Sequence, residues 1–151
     1  VQITVDDLAG PDVAAFLEAH VRQMREVSPP GTSYALDLAA LRHPDVTFWT
    51  ARDDGELIGC GALKELDPTH AEIKSMRVAD ARRRQGIAAK VLETLLAESV
   101  RRGYRRLSLE TGASAFFAPA RALYVRSGFV PCDAFADYRP DPESAFFTRE
   151  L

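Results

Sequence analysis

The chain is poor in cysteine: Cys60 and Cys132 are its only two. Neither belongs to a C-x-x-C pair, which argues against a zinc site and fits a reduced thiol pair in the cytoplasm. The three histidines, His20, His43 and His70, are scattered without metal-ligand spacing, so no metal is expected. No apolar run reaches about 18 residues, and no membrane span is expected. The opening "VQITVDDLAG" lacks a basic segment followed by an apolar one, so no signal peptide is expected. There is no excess of positive charge. The formal net charge of -3 argues against a nucleic-acid partner, because phosphate neutralisation calls for a basic surface. Also absent are the Gly-x-Ser-x-Gly elbow of an acyl-enzyme hydrolase and the Gly-Lys-Ser/Thr of an ATP-type loop. No repeat, low-complexity segment or linker interrupts the 151 residues. One domain over residues 1–151 is expected, long enough to bury a core without disulfides.

What is present is an ordinary globular pattern of alternating element types. "QITVDD" reads as a strand, and residues 10–27 carry Val13, Phe16, Leu17, Val21 and Met24 at helical spacing. "SPPG" stops that helix, and "SYALDLAALRHP" reads as a second short one. Residues 45–66 read as two strands about Asp54-Gly55, a hairpin dipeptide. "HAEIKSMRVAD" reads as a third strand. The clearest helix covers about 86–102, with Ile87, Val91, Leu92, Leu95, Leu96 and Val100 on one apolar face. "YRRLSLET" is a strand and "SAFFAPARALYVRSGF" a helix, and "FVPCDAFADY" and "SAFFTREL" close the chain as strands. The fold class is mixed α/β, with a partly antiparallel sheet.

The join between the third strand and the 86–102 helix carries the first chemistry. There "ARRRQGIAA" places three arginines, a glutamine and a glycine at a strand-to-helix turn. The first N–H groups of a helix have no intrahelical partner and carry partial positive charge, which suits an anion. Gly86 lets backbone approach a phosphate closely, and Ala88 keeps the next turn clear. A solvated basic turn reads equally well from spacing alone. A dinucleotide fold would need G-x-G-x-x-G, and only one glycine fits, although Glu110 ends the following strand.

Two segments together resemble the GNAT family of N-acetyltransferases. Arg83-Arg84-Gln85-Gly86-Ile87-Ala88 is similar to the family's R/Q-x-x-G-x-G/A pyrophosphate loop. Ala120 to Phe129, "ARALYVRSGF", is similar to its A-x-x-L-Y-x-x-x-G-F helix, and the order and spacing agree. The resemblance covers most of residues 48–151. It implies acetyl-CoA as co-substrate and a mostly antiparallel sheet, splayed at the coenzyme site and flanked by about four helices. The pantetheine arm would pair with the strand at Met76-Arg77-Val78. The diphosphate would sit on the N–H groups of Gln85, Gly86, Ile87 and Ala88, with Arg82, Arg83 or Arg84 reaching it. The family's helix often begins with Asn seven residues before the tyrosine. Here that position is Phe117, and Ser114 is the candidate replacement for its polar contact.

Amine attack on a thioester needs a base for the amine and an acid for the leaving sulfur. Tyr124 matches the family's tyrosine near that sulfur, and a phenol is a donor at neutral pH. Its bland alternative is a core tyrosine beside Leu123. Glu72 matches the base position of histone-acetylating members, and Lys74 two residues on supplies a counter-charge. A structural Glu–Lys pair is the equal alternative. At period two, Glu72, Lys74, Met76 and Val78 are expected on one face. The resemblance also has the Val78 N–H stabilising the thioester oxygen. It implies an acceptor cleft lined by the first two helices, their loop and the loop between the last strands, which brings in Arg22, Arg25, Ser28, Ser33, Tyr34, Tyr138 and Arg139. Arginine binds carboxylates in a fork, so Arg22 or Arg139 suits an amino-acid-like amine, against the plain reading of a weak surface ion pair. The mild acidity of the chain would instead suit a polyamine or aminoglycoside, and the sequence does not decide between them. The expected activity is direct acetyl transfer to a primary amine, with a small molecule as acceptor. The alternatives are a protein or peptide acetyltransferase and a non-catalytic acyl-CoA sensor of the same fold. A dinucleotide oxidoreductase and a nucleic-acid module on "ARRRQG" rank below these. The family resemblance also allows a homodimer through the C-terminal strands.

Overall fold

The computed structural model describes residues 1–27 and 38–151. Strand β1 (Gln2–Val5) leads into α1 (Pro11–Val27), and α2 (Leu38–Leu41) precedes the meander β2 (Val46–Asp53), β3 (Glu56–Asp67) and β4 (His70–Val78). Then come α3 (Ile87–Arg101), β5 (Arg106–Gly112), α4 (Ala118–Arg126), β6 (Val130–Pro131) and β7 (Ser144–Glu150). The sheet runs in the order β1-β2-β3-β4-β5-β7-β6. All neighbours are antiparallel except β4 and β5. The mixed α/β class and the mostly antiparallel sheet read from the sequence are both present.

Each face of the sheet buries its own helices. Ile87, Val91, Leu92 and Leu95 of α3 pack on Ile58, Leu63 and Ile73, with Tyr124 of α4 in the same cluster. Leu92 and Leu95 are almost wholly buried, each contributing about 1.5–3 kcal/mol of transfer free energy. On the other face, Val13 and Leu17 of α1 and Leu41 of α2 meet Phe48, Cys60 and Ala62. The apolar face expected of α3 is narrower than the sequence pattern. Val100 is 61% exposed. The inward position near the helix end belongs to Ser99, whose hydroxyl donates to the Leu95 carbonyl at 2.7 Å.

Two departures from expectation shape the site. The strand expected over 129–138 shrinks to Val130–Pro131, paired with Thr148 and Phe147. One further ladder bond follows, from the Cys132 N–H to the Phe146 carbonyl at 3.0 Å, and the chain beyond it becomes a loop that carries Tyr138 inward. In β4, Arg77 pairs with Cys60 and Lys74 with Ala62, so two residues, Ser75 and Met76, oppose Gly61 alone. This bulge, with Ser75 at φ 55, reverses the alternation of side chains. The expected common face of Glu72, Lys74, Met76 and Val78 is therefore corrected. Glu72, Lys74 and Arg77 share the α1 face, while Met76 and Val78 turn to the α3 face.

Gly61 is the partner that lets the bulge form. A Cβ there would lie 2.8 Å from Val91 Cγ1 and 2.9 Å from Met76 Sδ. Gly61→Ala is expected to lower stability by about 1–3 kcal/mol through overpacking, read as a drop in the urea midpoint at constant m-value. An unchanged midpoint would mean that α3 is not held this closely against the bulge.

Candidate functional site

Strands β4 and β5 pair in parallel only from His70 with Arg106 to Ile73 with Leu109. Beyond that point β4 continues to Val78 and β5 to Gly112, each paired on its outer edge only. The inner edges separate and open a cleft of about 540 Å³. Unpaired backbone groups in such a gap require water or a ligand. The cleft reaches from α1 and Tyr138 at one end, past Met76, Arg77 and Val78, to the start of α3 at the other.

At the α3 end, Gly86 adopts φ 76 and gives no side-chain cap to the helix. Arg84 before it is also left-handed, at φ 65. The first intrahelical bond is Lys90 N–H to the Gly86 carbonyl, which leaves the earlier N–H groups of the helix for an anion. The three arginines then separate in role. Arg82 is committed: it bonds Asp53 at 2.6 Å, Glu56 at 3.5 Å and Gln85 at 2.9 Å. Arg83 pairs with Asp80 at 2.7 Å and lies over the Phe116 ring. Arg84 is exposed and has no ion pair among the described residues. Arg83, Arg84, Gly86, Ile87 and Ala88 line the cleft, whereas the Gln85 side chain does not. Ser114 also stands outside the lining, with its hydroxyl buried and unpartnered. Phe117, in the place of the family's Asn, packs on Gly112 so closely that a Cβ there would lie 2.0 Å from the ring.

The opposite end holds buried charge. Glu72 is 2% exposed. Its Oε2 accepts from Lys74 Nζ at 3.0 Å and from the Tyr138 hydroxyl at 2.5 Å. Lys74 also donates to Tyr138 at 2.7 Å, closing a three-membered network. Burial and the Glu72 charge push the Tyr138 phenol well above its usual range, so it stays protonated. Burial alone pushes Tyr124 up as well; its ring meets Phe129 edge-on and lines the cleft. Glu110 lines the cleft too, accepts from the Ser144 hydroxyl at 2.8 Å, and is raised by burial.

Sequence reasoning brought Glu72, Tyr124 and the glycine turn to this one cleft, but not most of the acceptor candidates. Arg22, Arg25 and Arg139 are exposed, outside the lining and without ion pairs among the described residues. Ser28, Ser33 and Tyr34 lie outside the described residues. Of the acceptor-loop residues, Tyr138 does reach the cleft. What the sequence missed is its bond to Glu72, 66 positions away, together with Glu110, Gln23, His20 and the Arg77 side chain. No periodicity links residues so far apart. Cys60 is fully buried and its thiol is pushed up to about 12 by that burial. Among the described residues no group of His, Cys, Asp or Glu is arranged to hold a metal ion, and no helix is long and apolar enough to cross a membrane.

His20 gives a pH signature. Burial, and then the nearby Arg77 charge, push it down to about 4 from 6.5. Between those values the unfolded chain binds a proton that the folded chain refuses, so stability falls as pH falls. The loss reaches about 3 kcal/mol by pH 4. Denaturant midpoints measured from pH 7 to 4.5 are expected to drop in the wild type and to drop less in His20→Gln. Equal slopes would mean that His20 is accessible to protons in the fold.

Comparison with known proteins accounts for this geometry. A model of the acetyltransferase (GNAT) family matches residues 13–129. YsnE of Bacillus subtilis, named an uncharacterized N-acetyltransferase, is 50% identical over 149 residues, which is 99% of each chain. YedL of Escherichia coli, named likewise, is 46% identical over 99% of this chain and 94% of its own. Among solved structures, a Klebsiella pneumoniae protein assigned as an acyl-CoA N-acyltransferase aligns with TM-score 0.84 at 30% identity, over 99% of this chain and 97% of that one. An Elizabethkingia anophelis GNAT acetyltransferase with acetyl-CoA bound shares the fold, with TM-score 0.73 at 21% identity and coverage of 99% and 97%. The chain belongs to the GNAT acetyltransferase family and is an acetyl-CoA-dependent N-acetyltransferase.

Proposed function

We propose that the acetyl acceptor is the primary amine of a small molecule, and that Glu72, Tyr138 and Tyr124 move the protons. The observation that carries this reading is the buried Glu72–Lys74–Tyr138 network, walled by His20, Gln23 and Met24 of α1. A confined, charged end of a cleft suits a compact polar amine better than a peptide, which needs an open groove for its backbone.

Acetyl-CoA supplies an acetyl thioester. The diphosphate would rest on the N–H groups of Gln85 to Ala88, with Arg84 and Arg83 as its mobile cations. The arm would run along the inner edge at Met76, Arg77 and Val78, whose backbone groups stand open there. The Val78 N–H would stabilise the thioester oxygen as charge develops. Phe117 and Gly112 give that path an apolar contact in place of an amide, and Ser114 would contribute only after its hydroxyl turns toward the arm.

Glu72 is too enclosed to meet the amine directly, because both hydrogen bonds shown to its Oε2 come from Lys74 and Tyr138. In this reading the Tyr138 oxygen takes a proton from the attacking nitrogen while its own proton passes to Glu72. Tyr124, kept protonated by burial, donates to the departing sulfur. The interior thiol of Cys60 is buried and protonated, which favours direct transfer over an acyl-cysteine.

Thiol release from acetyl-CoA against polyamines, aminoglycosides, arylamines, amino acids and lysine peptides tests the function. Release with a small amine is expected, and release with peptides alone would return the reading to a protein acetyltransferase. Glu72→Gln and Tyr138→Phe are each expected to lower kcat by about 100-fold, with the KM for acetyl-CoA changed far less. If Glu110→Gln lowers kcat and Glu72→Gln does not, Glu110 is the base. Arg84→Ala is expected to raise the KM for acetyl-CoA about 3- to 10-fold, the size of one exposed charge contact on phosphate. An unchanged KM would leave the diphosphate to Arg83 and the backbone.

A further inference from the structure

The bulge at Ser75 sends Arg77 toward α1, where its partners among the described residues are neutral. Its Nη1 donates to Gln23 Oε1 at 2.9 Å and to His20 Nδ1 at 3.3 Å. A guanidinium can only donate, so His20 Nδ1 accepts here and the imidazole is neutral. The guanidinium also lies 5.1 Å from the centre of the Phe16 ring. Among the described residues no carboxylate pairs with it. Asp80, the acid acting on it most strongly through space, is bonded by Arg83 at 2.7 Å. Glu72 is taken by Lys74 and Tyr138. Arg77 Nε is buried with no hydrogen-bond partner, and so is the hydroxyl of the neighbouring Ser75. Both residues line the cleft.

Arg77 is half-buried, and a guanidinium partly withdrawn from water without a counter-charge costs the fold stability. Its planar fork matches a carboxylate, which would satisfy the charge and the idle Nε together. We propose that Arg77 is the carboxylate seat of the acceptor site, so that the acceptor is a small primary amine that also carries a carboxylate. This rests on the reading of the cleft as a small-amine acetyltransferase site. The fork holds the carboxylate, Gln23 and His20 hold the fork, and the amine faces Tyr138 and Glu72. The carboxylate is unchanged in the reaction. The thioester C–S bond breaks, the C–N bond forms, one amine proton goes to Glu72 through Tyr138, and the sulfur leaves with a proton from Tyr124. The seat assigned from sequence to Arg22 or Arg139 moves to Arg77, because those two are exposed and outside the cleft.

Along β3 the partners of Glu72 and Arg77 are Lys64 and Cys60, so the two backbones stand about 13 Å apart at strand spacing. The spacing between amine and carboxylate in the acceptor is therefore a variable of the test. Thiol release from acetyl-CoA would be measured with acceptors paired so that only the carboxylate differs: L-alanine and L-alaninamide, β-alanine and β-alaninamide, 4-aminobutyrate and 4-aminobutanamide, 6-aminohexanoate and 6-aminohexanamide. Putrescine serves as a dication. The readout is the carboxylate-to-carboxamide ratio of kcat/KM, in the wild type, Arg77→Gln and Arg77→Lys. The expected result is a wild-type preference for the carboxylate in at least one pair. Arg77→Gln should cut that ratio roughly 10- to 100-fold, the range of one charge-assisted contact, through KM rather than kcat, and Arg77→Lys should recover part of it. Wild-type preference for the carboxamide or putrescine throughout, or a ratio that Arg77→Gln leaves unmoved, overturns the seat while acetyl transfer to small amines stands. No release with any member overturns the small-amine reading and the seat with it. Should Arg77→Gln fail to fold, the wild-type ratio and Arg77→Lys decide.

Discussion

Strands β4 and β5 stop pairing after Ile73 and Leu109, and the site depends on that gap. A continued ladder would satisfy the inner backbone groups of residues 74–78 and 110–112 and leave no cleft. Left open, those groups cost free energy unless water or a ligand meets them. The outer edges stay tied to β3 and β7, so the two strands cannot simply close on each other. The same gap is bounded at one end by the unpaired N–H groups that open α3. One break in a sheet thus supplies both a row of amide partners for an extended chain and an anion seat.

The bulge at Ser75 divides labour across that gap. One added residue in β4 moves Arg77 to the face of Glu72 and Lys74 and gives Met76 and Val78 to the α3 core. The α1 side therefore collects charge, and the α3 side collects apolar contact. Burying a carboxylate with an ammonium adds little net stability, since desolvation offsets most of the attraction. Removing either partner would still be costly, at about 3–5 kcal/mol. A network that is expensive to break and contributes little to stability is better explained by placement: it holds the Tyr138 hydroxyl where the cleft needs it.

How legible the molecule was in its sequence follows from the range of each interaction. The α3 turn was readable because helix polarity, Gly86 and the arginines lie within six positions. The hairpin at Asp54-Gly55 and the helix holding Tyr124 were readable for the same reason. The face of Arg77 was not, because a bulge leaves no mark in a period-two pattern; the only trace is Gly61 on the partner strand, which yields the space. Tyr138 was placed on the acceptor side by the family resemblance, but its bond to Glu72 was not readable. The segment up to residue 138 read as strand, whereas its ladder to β7 ends with the Cys132 N–H on the Phe146 carbonyl. Arg22 and Arg139 drew attention as arginines, although their exposure leaves them the weaker electrostatic partners.

The two phenols at the site constrain the chemistry more than their number suggests. Burial keeps both Tyr124 and Tyr138 protonated, so neither can serve alone as a base. A proton donor suffices at the sulfur, where charge develops and where the proposed role of Tyr124 is to give. At the nitrogen a proton must be lost, and a raised phenol can accept one only while handing its own onward. Tyr138 already donates to Glu72 at 2.5 Å, so the onward path exists before any acceptor enters. Lys74, bonded to both, can stabilise negative charge on either oxygen as the proton moves between them. Cys60 is sealed in the interior and its thiol is kept protonated by burial, which disfavours an acyl-cysteine. In the proposed reading the nitrogen attacks the thioester itself, and the buried carboxylate behind Tyr138 receives its proton.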